Sequence, residues 1–91
     1  MNYEQELQKG AEAQQLLNNP IFKEVMGDIK NKLHEITLNT PTTEMVACMD
    51  AIRNEQLFES IERMIVSYIY TGKMAQQMME ETKEVKKEFK R

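Results

Sequence analysis

Apolar side chains recur along this chain at alternating steps of four and three. The longest such stretch, 43–70, contains neither Gly nor Pro. Within it Ala47, Ala51, Asn54, Phe58, Ile61, Ile65 and Tyr68 keep heptad spacing, which holds them on one face of a helix. The pattern predicts an α-helix over 43–70. A second set, Met45, Cys48, Met49 and Ile52, also has helical spacing and centres nearly opposite the stripe that runs from Phe58 to Tyr68. Leu57 and Met64 flank both faces. Two readings stay open. In one the helix is apolar nearly all round, or breaks near 53–56. In the other it has two faces, one for its own chain and one for another copy, because so short a chain has little core to cover both.

The preceding segment shows a one-sided pattern. Phe22, Val25, Met26, Ile29, Leu33 and Ile36 form a stripe that predicts a helix over 21–38, with Lys23, Asp28, Lys30, Asn31, Lys32 and Glu35 on its far side,. A proline disfavours helical backbone in the residue before it and suits the first turn of a new helix. Asn18-Asn19-Pro20 therefore ends an earlier helix over 2–17, with Asn19 as the N-cap of the next. Gly10 weakens that first helix by about 1 kcal/mol relative to Ala. The short connector Asn39-Thr40-Pro41-Thr42 predicts an antiparallel hairpin. Thr42 or Thr43 is the expected cap of the long helix, with Glu44 in its first turn. The hairpin core is expected to pair Phe22, Val25, Met26, Ile29, Leu33 and Ile36 with Phe58, Ile61, Ile65 and Tyr68, the first helix lying across it.

Beyond Gly72 the chain keeps helical propensity. Met74, Met78, Thr82, Val85 and Phe89 share a face, and Glu80 with Lys83 and Glu84 with Lys87 are spaced to pair,. Either the long helix continues through Gly72, or it ends there at a left-handed glycine and a separate helix follows. The fold class is all-α: an antiparallel helical hairpin with a shorter N-terminal helix and a helical C-terminal tail. Residues 1–72 form the hairpin domain with its first helix. Residues 73–91 form the tail, expected to lack apolar partners within the chain.

Composition narrows the function classes. The chain has 91 residues, a formal net charge of −3 and one cysteine, so no disulfide closes within it and self-association is the common remaining route to stability. Residues 1–72 carry net −5 and residues 73–91 net +2. An acidic body argues against nucleic-acid binding, and the ending with Lys86, Lys87, Lys90 and Arg91 is diluted by glutamates. The opening MNYEQELQKG does not read as a signal peptide, and no apolar run approaches a membrane span. An intracellular location is the expectation. His34 is the one histidine, near a helix C-terminus and without metal-ligand spacing to any carboxylate,. Cys48 falls among apolar positions, where a thiol is inert. No phosphate-cradling glycine loop is present. These features predict no catalysis, no metal and no cofactor. Met45, Cys48, Met49 and Ile52 are the candidate self-association residues, and the prediction is a homodimer or higher oligomer. Met74, Met78 and Met79 either cap the core or offer an adaptable contact.

The segments GAEAQQLLNNPIFKEV, the turn at Thr40-Pro41 and IYTGKMAQQ together resemble small helical proteins encoded by tailed bacteriophages, over roughly residues 9–77. The resemblance implies a phage or prophage origin, residence in the bacterial cytoplasm or a virion, and a non-enzymatic role in the particle or its assembly. The alternative it leaves open is an anti-defence protein that binds a host protein or sequesters a nucleotide signal. Such a sponge needs cationic or backbone donors for phosphate, and Lys23, Lys30, Lys32, Arg53 and Arg63 are interleaved with acids.

Overall fold

The two prolines divide the chain. In a computed structural model, which describes the backbone of residues 2–89 and the side chains of residues 2–83, three helices follow in order: α1 (Tyr3–Asn18), α2 (Pro20–Asn39) and α3 (Met45–Phe89). No strand occurs among the described residues, and the all-α class holds. Both residues that precede a proline leave the helical region, Asn19 at φ −70°, ψ 122° and Thr40 at φ −83°, ψ 122°, as the proline ring requires. Asn19 is the N-cap expected of it: its side-chain oxygen accepts from the Phe22 N–H at 3.0 Å,.

The start of α3 differs from expectation. Thr42 and Thr43 belong to the turn, closed by the Glu44 N–H donating to the Pro41 carbonyl at 3.0 Å. The Glu44 carbonyl accepts from the Cys48 N–H at 2.9 Å, so Glu44 occupies the position before the helix that a threonine was expected to fill. The turn consumes the two threonines because Pro41 supplies its carbonyl to close it.

Two compact units share α3: Leu17–Met64, and Met1–Leu16 with Ile65–Arg91. The first is the expected hairpin. Lys30 faces Glu62, His34 faces Glu55, and Pro41 faces Cys48. Partners so ordered show that α2 and α3 run antiparallel. Phe58, 7% exposed, and Ala51 are buried in this unit, and Phe22, Met26 and Leu33 are half-buried.

In the second unit α1 lies against the C-terminal part of α3. The contact is built from small residues. Gly10, Ala13, Gly72 and Ala75 are buried, Ala75 to 2% exposure. A Cβ on Gly72 would sit 3.0 Å from the Gly10 Cα and 3.2 Å from the Glu6 carbonyl oxygen. The two backbones therefore touch where neither residue has a side chain. Gly72 lies inside an unbroken helix, which settles the choice between continuation and a turn. It accommodates a neighbouring helix rather than ending its own.

Residues after Gly72 do have partners, contrary to expectation. Ala75 is buried and Met79 half-buried, while Met74 and Met78 are exposed. Gly72, Ala75 and Met79 continue the four-three spacing of the long stripe, and this makes them the inward edge. The side chains of Val85, Phe89, Lys86, Lys87, Lys90 and Arg91 lie outside the described residues.

Candidate functional site

The hairpin of α2 and α3 has three surfaces that could meet another molecule. The first is a polar groove of about 410 Å³ over Phe58, lined by Lys30, Asn31, Leu33, His34, Glu55 and Glu59. Residues at helical spacing on each side put these groups together. Lys30 and His34 are four apart on α2, Glu55 and Glu59 four apart on α3. His34 Nδ1 lies 2.9 Å from Glu55 Oε1, Lys30 Nζ lies 3.9 Å from Glu62, and Arg63 reaches Glu59 at 3.5 Å. Each of these basic groups faces a carboxylate. Such pairs offer little uncompensated positive charge to a phosphate. Among the described residues no three His, Cys, Asp or Glu side chains converge to hold a metal ion, and no helix is long and apolar enough to cross a membrane.

The second surface contains the residues singled out for self-association. Met45 is 72% exposed, and Met49 and Ile52 are about half exposed. Cys48 is separated from them. Its thiol turns to the connector and donates to the Pro41 carbonyl at 3.1 Å, which ties the first turn of α3 to the loop before it. The third surface comes from the stripe assigned to the hairpin core. Val25, Ile29, Ile36 and Ile61 are 42–49% exposed, so only one edge of that stripe faces α3 or α2 and the other faces outward. Ile65 and Tyr68 fall in the α1 unit, beside Lys9, Glu12, Ala13 and Leu16.

Two contacts were absent from the sequence reading. The pair of His34 and Glu55 is one; the antiparallel direction was legible, but the unequal offset that brings these two residues level, five before Asn39 and ten after Met45, was not. The contact of Gly10 with Gly72 is the other. Its signal was the step of four from Tyr68 to Gly72 and of three to Ala75, which prolongs the heptad stripe. No protein family, curated protein or solved structure matches the chain.

Proposed function

We propose that this chain is a non-enzymatic helical interaction protein that acts as a self-associated assembly, of the phage-encoded kind its turn and cap pattern resembles, in a particle or its assembly. One observation carries the reading. Among the described residues the buried apolar side chains are Phe58 and three alanines, Ala13, Ala51 and Ala75. Ile21, Leu38, Met45, Val46, Leu57 and Tyr70 are each more than 60% exposed. A core of one aromatic ring and three methyl groups is small for a chain of this length, and monomers avoid large contiguous apolar surface. Further copies of the chain provide the missing cover.

The alternative of a nucleotide sponge draws no support from the polar groove, whose basic groups face carboxylates. Multi-angle light scattering on a size-exclusion column at micromolar concentration tests the proposal. The expected mass is a multiple of the 10.7 kDa chain. Elution as a folded monomer across the accessible concentration range would overturn it.

A further inference from the structure

Positions 10–17 and 72–79 read GAEAQQLL and GKMAQQMM. Glycine, alanine and both glutamines recur at the same spacing, and a pair of long apolar residues closes each copy. Three residues before each glycine stands another aliphatic side chain, Leu7 or Ile69. The chain thus carries one helical motif twice, in α1 and in α3, and the structure places the two copies against each other. Leu16 lines one groove with Ile65, and Leu7 lines another with Gln76, so the two helices run antiparallel. Their contacts at the crossing are reciprocal. A Cβ on Gly10 would sit 2.9 Å from the Gly72 Cα and 2.9 Å from the carbonyl oxygen of Tyr68, one turn before Gly72. A Cβ on Gly72 would sit 3.0 Å from the Gly10 Cα and 3.2 Å from the carbonyl oxygen of Glu6, one turn before Gly10. The groove beside the glycines has the same symmetry. Its lining matches Leu7 with Ile69, Ala11 with Lys73 and Gln14 with Gln76, each at the same place in its copy. An approximate two-fold axis therefore passes between the glycines, and the motif is complementary to itself.

We propose that this motif joins copies of the chain by exchange: the α1 of one copy occupies, on α3 of a second, the place that α1 takes here on its own α3. The proposal rests on the self-association above and names the elements that carry it. The α3 surface meets the same residues whichever chain supplies α1, so exchange retains every contact at the crossing. Detaching α1 exposes little, because its buried residues are Gly10 and Ala13. A helix of 16 residues with a glycine inside it is marginal when undocked, and such an element opens before the rest of a fold. The junction to α2 is the single residue Asn19, held extended at φ −70°, ψ 122° ahead of Pro20,. Short hinges of this kind invite exchange of the element they carry. Two chains that trade α1 reciprocally close into a two-fold dimer, which needs no second complementary surface.

The test co-expresses two full-length chains in a Cys48→Ser background, one with Ala11→Cys and one with Lys73→Cys. Both positions are exposed and line the same groove, so a thiol at either leaves the core intact. A short bis-maleimide then links thiols across the groove. The expected product is a covalent dimer that joins position 11 of one chain to position 73 of the other, in excess over either like-with-like dimer. It should be lost when the Lys73→Cys chain also carries Gly72→Leu. Light scattering on the parent separates the outcomes. A monomeric parent overturns self-association and the exchange with it. An oligomeric parent whose mixed chains give no link between positions 11 and 73 overturns the exchange alone, as does a link that survives Gly72→Leu. A main product joined through position 73 of both chains overturns it too, since two α3 helices then meet in place of α1 and α3.

Discussion

At the scale of single residues, the three glycines separate cleanly by what surrounds them. A Cβ on Gly10 would lie 2.9 Å from both the Gly72 Cα and the Tyr68 carbonyl oxygen. Both obstacles are backbone, so the helices must move apart to admit a methyl group. Gly27 has nothing within 4 Å of the corresponding position. In an open helical site, alanine is preferred over glycine by about 1 kcal/mol. The same substitution should therefore act with opposite signs. Gly27→Ala should raise stability by up to about 1 kcal/mol, while Gly10→Ala should lower it by roughly 1–3 kcal/mol, the usual range for overpacking. Denaturant titration of the two variants checks this, and a stabilised Gly10→Ala would mean that the close approach does not form. Phe58 is the one large buried side chain among the described residues. Phe58→Ala should cost about 3–5 kcal/mol, with unchanged thermal stability as the result that removes Phe58 from the core. His34 and Glu55 lie close, but the histidine side chain is 63% exposed. Solvent screens such a pair, and His34→Ala should change stability by less than about 1 kcal/mol.

At the scale of elements, α3 shows how far a periodic pattern can be trusted. Its heptad spacing was legible as a helix, and the X-Pro junctions at Pro20 and Pro41 marked the ends of α1 and α2, because a proline constrains its neighbour whatever the tertiary context. Direction was also legible, since a connector of so few residues leaves little alternative to an antiparallel pair. The extent of α3 was less so. Gly72 is a helix terminator by local propensity, yet tertiary packing uses its missing side chain to bring α1 close. Propensity alone does not separate those two uses. Which edge of a stripe is buried was also hidden, because alternating steps of four and three span an arc wider than one partner covers. Every seventh residue of α3 from Ala51 through Phe58, Ile65, Gly72 and Met79 is buried or half-buried; in the alternate series Asn54, Ile61 and Tyr68 are exposed and Ala75 is buried. The tail belongs to this pattern. A chain ending at Lys73 loses Ala75 and Met79, and α1 should lose their contacts. Hydrogen exchange should then show protection falling in α1 while α2 and residues 45–64 keep theirs. Unchanged protection of α1 would show that Gly72 alone anchors it.

At the scale of the whole molecule, the sparse buried core and the large exposed surface are two aspects of one deficit. If copies of the chain supply the missing burial, folding and association are one equilibrium, and stability depends on concentration. A monomer shows no such dependence, whatever the size of its core. For a dimer, tenfold dilution removes about 1.4 kcal/mol per mole of dimer from the free energy of the folded state. Spread over the unfolding entropy of two chains of this length, that loss lowers Tm by roughly 3–5 °C per tenfold dilution. Calorimetry or thermal circular dichroism across two decades of concentration measures it directly. The dependence should vanish in a variant that is monomeric yet folded, and its Tm should lie below that of the parent at every concentration. A parent whose Tm is constant on dilution has its stability within one chain, and the exposed apolar face would then contribute nothing to holding the fold.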